Sequence, residues 1–392
     1  MIKKNKKDII PYPWPCYFVP VVCLTIIGLA DSIYLLIAHY RNYTDYTYSS
    51  FCALSRSINC DTVAQSSWSI IAGVPIALWG ICGYLLYGLL LFLAGKNTAD
   101  RMKIWSLLFL LGLLYSISSV WFGYISAVRI HSYCIMCILS YAVNFSLLFY
   151  SFIIHKRFAH TSILNSFKKV CLIIPEHKGL QSVLVFFVFL IIALKIFTVP
   201  YWKHEAPLLP DNIATGITDD GAPWIGAKDP ILTIEEFTDY QCFQCAKMHI
   251  FLRRLVFENS EAIRLIHRNY PMDHEFNKLL VPEPFHVGSG RLALLAISSV
   301  KQDKFWAVND AIFSIVREKN GSVDIAEVAG KAYADVDLLK QNMFTKESLG
   351  LLKKDITTGL KHKITGTPAY LINGEVYHGF LPSAVLQKVL SL

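Results

Sequence analysis

The first two hundred residues alternate long apolar runs with short polar breaks, and the remainder does not. Five runs approach the roughly 20 apolar residues needed to cross a bilayer. They cover about 18–40, 70–94, 104–128, 135–154 and 180–199. The segment between the first and second runs, 41–68, is long and polar. After about residue 204 charged residues become frequent and the runs shorten. There 231–237 and 263–269 read as strands, and 242–257 between them as a helix. Residues 288–354 show apolar positions at three- and four-residue spacings, for example Leu292 and Leu295. Residues 369–372 and 376–378 read as a hairpin closed at Asn373-Gly374, and a last helix starts near Ser383.

This pattern predicts a helical membrane bundle, with four core helices and a fifth linking helix, fused to an α/β domain. The expected parts are a membrane domain at 1–155, then a loop and fifth helix at 156–200. A linker at 201–229 and a soluble domain at 230–392 complete the chain. The composition agrees: 54% of the 392 residues are hydrophobic, too many for an ordinary soluble protein. Lys3, Lys4, Lys6 and Lys7 give the first run a signal-peptide look. The run is too long for one, and no small-residue cleavage site follows it, so it reads as a retained helix.

The net charge of +8 is chiefly a topology signal. Lys and Arg gather at the N-terminus, in 96–103 and in 156–178, whereas the alternate loops carry Arg41, Arg56 and Arg129. The positive-inside rule then places the N-terminus in the cytoplasm and, after five crossings, the tail outside. Charges that flank helices do not form the single basic patch of a nucleic-acid binder.

Three of the cysteine groupings carry chemistry: Cys52 with Cys60, Cys134 with Cys137, and Cys242 with Cys245. The expected topology sets all three at or beyond the outer, oxidising face, where disulfides persist. Thiol–disulfide exchange needs only a thiolate attacking a neighbouring disulfide, so three dithiols form a relay. Cys242 follows a strand and opens a helix, where free N–H groups and the helix dipole favour a thiolate. Cys245, one turn on, resolves mixed disulfides. Cys134 and Cys137 sit one turn apart at the start of a membrane helix. The bland alternative for them is two small core residues, since free cysteine packs as a hydrophobe. A zinc C-x-x-C needs a second ligand pair, which the tail lacks. A c-type haem needs a His after Cys137 or Cys245, and neither has one. Cys16, Cys23, Cys82 and Cys171 read as structural. Arg129 and His131 beside the bundle dithiol stabilise a thiolate or contact headgroups.

The tail segments Glu236-Phe237-Thr238-Asp239-Tyr240-Gln241-Cys242-Phe243-Gln244-Cys245 and Gly366-Thr367-Pro368 resemble the DsbA-like branch of the thioredoxin superfamily. That resemblance implies a thioredoxin fold with a helical insertion. It also implies a cis bond at Pro368, facing the dithiol and offering backbone to an extended substrate. The membrane half resembles the vitamin K epoxide reductase family, including bacterial homologues fused to thioredoxin-like domains. That match runs through Cys52, Cys60-Asp61, Ser66, Gly73 and the run from Cys134 to Asn144.

The resemblance implies a quinone-dependent protein thiol–disulfide oxidoreductase of a bacterial plasma membrane. Reduced exported proteins are its clients, and ubiquinone or menaquinone is its electron acceptor, with no metal or nucleotide. In that scheme Cys242 meets clients, Cys52 exchanges with the soluble domain, and Cys60 passes electrons to Cys134. Cys137 lies nearest the quinone, while Ser66 and Tyr141 line its pocket, with Asn144 and Trp68 as weaker candidates. Ser69 stands near the place of an asparagine of the animal enzymes, which favours quinone over epoxide. Two rivals remain: an outward-running reductase or isomerase, and a non-catalytic anchor displaying a binding domain.

Overall fold

The computed structural model describes residues 13–45, 48–55, 57–96, 101–158, 178–202, 213–319, 323–382 and 385. The last helix expected from Ser383 and the cysteine at Cys171 lie outside the described residues, as do 159–177 of the expected loop. The chain forms two units, a helical one ending at Pro200 and a mixed one from Tyr201 onward, to which Tyr43–Tyr48 is also assigned.

The helical unit begins with α1 (Pro15–Thr44), followed by the short α2 (Cys60–Gln65). A two-residue-strand hairpin comes next, β1 (Ile70–Ile71) and β2 (Val74–Pro75). Then come α3 (Ile76–Lys96), α4 (Arg101–Ile125), α5 (Ile135–Phe158) and α6 (Lys178–Phe197). Four of these are long and apolar enough to cross a membrane, spanning Pro15–Thr44, Ile76–Gly95, Ile104–Ile130 and Ile135–Phe158. The apolar part of the fifth, Gln181–Phe197, is shorter.

The second run differs from its expected start. Ala72 and Gly73 both take positive φ, 53° and 75°, the backbone of a tight hairpin turn. Ile70 and Ile71 therefore pair with Pro75 and Val74 as strands, and the helix starts only at Ile76. Hydrophobicity alone does not register such a turn.

The bundle core is built from large side chains, among them Tyr87, Trp105, Leu108, Leu147 and Ile154, all buried. Helices α4 and α5 approach closely at Gly112, where a Cβ would lie 3.1 Å from the Leu148 backbone. Small residues permit such contacts in lipid, where packing replaces the hydrophobic drive between helices. Phe149, Phe186, Phe189 and Trp121 stay exposed, as side chains facing hydrocarbon should.

The second unit carries a six-stranded sheet in the order β3-β4-β6-β5-β7-β8. Its strands are β3 (Thr215–Ile217), β4 (Pro223–Gly226), β5 (Leu232–Thr238), β6 (Ile263–Asn269), β7 (Ala369–Ile372) and β8 (Glu375–His378). Only β5 and β6 are parallel, joined through α7 (Phe243–Glu258). Between β6 and β7 lie α8 (Ser289–Ser298), α9 (Phe305–Lys319), α10 (Ile325–Ala332), α11 (Val336–Met343) and α12 (Lys346–Lys361). This is a thioredoxin-like fold with a helical insertion.

The stretch 201–229, expected as linker, contributes two strands of this sheet. Its Gly, Pro and Asp content reads as turns, yet β4 is held by pairing with β6. Gly226, at φ 112°, serves that pairing directly, since a Cβ there would meet the Ile263 carbonyl at 2.1 Å. The glycine that looks like a breaker is thus a fitted contact.

Candidate functional site

In the sheet unit, local sequence sets the dithiol geometry. Cys242 is the N-cap of α7 and makes no side-chain cap of its own. The first-turn N–H groups therefore remain available to its sulfur. Strand β5 pairs Phe237 with Ala369 of β7, which brings the residues before β7 beside the dithiol. The Thr367-Pro368 bond is cis, as expected, and the Cys242 thiol donates to the Thr367 carbonyl at 3.4 Å. The hydrogen bond from Cys245 does most to hold Cys242 down to about 7, and the positive charge of His286 adds to it. Burial pushes Cys245 well above the usual thiol range. These surroundings favour the thiolate at Cys242 and the protonated thiol at Cys245.

Asp239 organises this loop. Its Oδ1 accepts the N–H groups of Gln241 at 2.7 Å and Cys242 at 3.1 Å. Its Oδ2 accepts from the Met272 N–H at 2.5 Å and the Ser289 hydroxyl at 2.8 Å. His286 Nδ1 lies 3.2 Å from Oδ1. Burial alone would raise this carboxyl, but the His286 charge and these donors outweigh it and hold it below its ordinary value. His286 itself sits at a positive φ of 28°, strained backbone of the kind found at functional positions. Its loop is tied down by Gln241 Nε2 donating to the Val287 carbonyl at 3.0 Å. Sequence reasoning missed His286, because its partner is 47 positions back in the chain, with α7 and β6 between them.

In the helical unit, Cys52 and Cys60 are joined as a disulfide. Cys134 and Cys137 are free thiols. Cys52, Cys60 and Cys134 form one buried cluster, with Val63, Met136 and Cys137 packed against it. The polar loop reaches this position through specific bonds. Asn59 caps α2, its Oδ1 accepting from the N–H groups of Asp61 at 2.9 Å and Thr62 at 3.1 Å. The Asp61 carboxylate accepts from Asn42 Nδ2 of α1 at 3.0 Å and the Ser50 N–H at 2.9 Å. Ile58 bridges to Tyr133, with the Asn59 N–H donating to the Tyr133 carbonyl at 3.0 Å. A π-helical turn, Ser126–Ile130, ends α4, and left-handed His131 closes it. Cys134 follows, its sulfur accepting the Cys137 N–H at 3.2 Å.

Cys60, Cys134 and Cys137 line a mostly apolar cavity of about 470 Å³ within the bundle. Ser66, Tyr141, Asn144 and Trp68 line it too. The Ser66 hydroxyl donates to the Val63 carbonyl at 2.8 Å, and closes the end of α2. Ser69 donates to the Ser66 carbonyl at 2.7 Å and lies 3.1 Å from His39 Nε2. His39, Tyr84, Ser119 and Ser140 also face the cavity, none of them anticipated. Their signal in the sequence is polar residues inside otherwise apolar runs, which hydropathy averaging smooths away. Arg129 and His131 lie beside the dithiol in sequence, and His131 is exposed.

The vitamin K epoxide reductase family matches residues 19–152, and a thioredoxin family matches residues 218–391. Mouse vitamin K epoxide reductase complex subunit 1 is 30% identical over 168 residues, covering 40% of this chain and 90% of that protein. Disulfide bond formation protein D of Bacillus subtilis is 26% identical over 172 residues, 41% of this chain and 71% of that protein. A Na(+)/H(+) antiporter, NhaA 3, of Salinispora tropica is 21% identical over 154 residues, 39% of this chain, and the chain spans only 22% of its length. Among solved structures, a thioredoxin-like oxidoreductase from Silicibacter pomeroyi DSS-3 aligns at TM-score 0.36 and 21% identity, over 44% of this chain and 92% of that one.

Proposed function

The chain belongs to the vitamin K epoxide reductase family, and from that premise we propose a membrane thiol–disulfide oxidoreductase that forms disulfides in exported proteins and passes the electrons to a quinone. One observation carries this reading: a loop disulfide and a bundle thiol buried together at the wall of an apolar cavity.

The steps follow from exchange chemistry. A client thiolate attacks the Cys242–Cys245 disulfide at Cys242, and the second client thiolate displaces Cys242. The reduced tail dithiol hands its electrons to Cys52–Cys60, and Cys60 hands them to Cys134–Cys137. The low Cys242 value makes it a good leaving group and a ready thiolate near neutral pH. The cavity suits a quinone ring, being largely apolar with a few hydroxyl and amide groups near the thiols. A quinone supplies a two-electron acceptor when bound. Ser66, Tyr141 and Asn144 would hold its oxygens, while Cys137 faces it from the wall. The charge pattern supports a cytoplasmic N-terminus and an extracytoplasmic tail in a bacterial plasma membrane.

The test uses full-length protein in phospholipid vesicles, a reduced client and a short-chain ubiquinone. One quinol should form per client disulfide. Client oxidation without quinol would overturn the quinone step. The outward-running reductase predicts a Cys242/Cys245 potential close to that of thioredoxin, about −270 mV; a markedly more oxidising value supports the oxidase.

A further inference from the structure

The five apolar helices of the bundle contain a single acidic residue, Asp31 in α1. It is 3% exposed. The Ser140 hydroxyl donates to its Oδ2, while Oδ1 has no hydrogen-bond partner among the described residues. A carboxyl group at bilayer depth is costly to bury, and such groups mark proton relays and ion paths.

Ser140 connects this acid to the reaction. It lies one turn beyond Cys137 in α5, and it lines the same cavity as Cys134 and Cys137. Other polar wall groups bond among themselves. Tyr84 donates to Asn144 Oδ1 at 2.8 Å, and Asn144 Nδ2 donates to Ser119 Oγ at 3.0 Å. Of the side-chain hydrogen bonds seen along the wall among the described residues, that of Ser140 ends on a carboxylate.

Resting on the quinone-linked reading above, we propose that Asp31 holds a proton for the bundle dithiol and exchanges it with the cavity through the Ser140 hydroxyl. When Cys134 and Cys137 close to a disulfide, two S–H bonds break and one S–S bond forms. Two electrons and two protons pass to the quinone, whose two carbonyl oxygens end as hydroxyls. One of the two protons is held on Asp31 between leaving sulfur and reaching oxygen. An acid hydrogen-bonded to a hydroxyl of the mostly apolar cavity wall can store that proton. Asp31 acts through Ser140, which makes it a positioning residue for the proton.

The experiment compares wild type, Asp31→Asn, Asp31→Glu and Ser140→Ala as full-length protein in vesicles with a short-chain ubiquinone. Loss of a positioned proton carrier should lower kcat for quinol formation by about a hundredfold, with quinone KM held within about twofold. Asp31→Glu should recover most of the rate, and Ser140→Ala should fall between. A second arm needs no quinone: a reduced-minus-oxidised infrared difference spectrum of the dithiol. A carboxylic-acid carbonyl band should appear in wild type and vanish in Asp31→Asn. If Asp31→Asn fails to assemble, the band must instead shift position in Asp31→Glu. Wild-type turnover in Asp31→Asn, or a band unmoved by either substitution, overturns the proposal. A wild-type protein that forms no quinol sinks the functional reading instead, and the infrared arm still decides the role of Asp31.

Discussion

The bundle and the tail each begin a helix with Cys-x-x-Cys, yet the two motifs sit in opposite surroundings. In the tail, Cys242 is itself the N-cap, its thiol donates to a backbone carbonyl beside a cis-proline, and buried Asp239 with half-buried His286 adjoins it. In the bundle, the Cys134 sulfur accepts an N–H from its own first turn, and the pair faces an apolar cavity. On the proposed function, the spacing supplies the two-sulfur chemistry and the walls distinguish the partners. Backbone and charge suit a peptide, whereas hydrocarbon with a few hydroxyls suits a flat lipid-soluble ring.

The sharpest way to break this contrast is to supply electrons from a small dithiol instead of a protein. Cys137→Ala should abolish quinol formation from any donor, to the level of the uncatalysed reaction. Cys242→Ser should abolish oxidation of protein clients but leave quinol formation from dithiothreitol largely intact. Equal loss of both activities in Cys242→Ser would mean that the bundle does not turn over independently of the tail. A smaller effect is expected at Tyr141, which lines the cavity. Tyr141→Ala removes ring contact and a hydroxyl, and should raise the quinone KM roughly tenfold while leaving the rate of Cys242 alkylation unchanged. An unchanged KM would remove Tyr141 from the quinone site.

Much of this contrast was legible in the residues. The six cysteines, the strand before Cys242, the helix after it and the turn at Asn373-Gly374 all follow from local pattern, because each is fixed by neighbours in sequence. Strands β3 and β4 were not, because β3 pairs only with β4, β4's partner β6 lies some forty residues on, and their glycines mimic a linker. His286 escaped for the same reason, since it meets Asp239 only after α7 and β6 have folded back between them. In the bundle, the run covering α3 hid the β1–β2 hairpin inside its apolar start. Asp31 was visible as a lone acid in an apolar run, but its partner Ser140 is 109 positions away.

The tail's acidity offers a finer test. The thiolate is the reactive form, so alkylation of Cys242 should rise with pH, reach half its plateau near the value of about 7 and level off above it. Below that pH the protonated thiol dominates and the rate falls about tenfold per unit. His286→Ala removes one of the charges that favour the thiolate. The midpoint should move upward, and the rate at neutral pH should fall by less than about tenfold, because the larger contribution from Cys245 remains. The other groups around this thiol are Asp239 and Cys245 on the dithiol loop and helix and Tyr370 on β7, which in turn neighbours Glu236. A midpoint that stays in place would assign the shift to Cys245 and the helix alone.

The smallest expected effect concerns how the two units cap their cysteine helices. Helix α7 leaves its first turn free for the Cys242 sulfur, whereas α2 has its first turn satisfied by Asn59. If that difference reflects function, α2 serves to hold Cys60 still rather than to activate it. Asn59→Ala deletes the acceptor for two N–H groups and should cost about 1 kcal/mol, read as a lower thermal midpoint of the full-length protein. Because Asn59 also ties its backbone to Tyr133, loosening α2 should expose the Cys52–Cys60 disulfide to reduction by a small thiol several times faster. The tail offers an internal control, since reduction of its oxidised dithiol should keep its rate. Unchanged reduction kinetics at the loop pair would show that the disulfide is held by the sulfur cluster itself, and that the Asn59 cap contributes nothing to the relay.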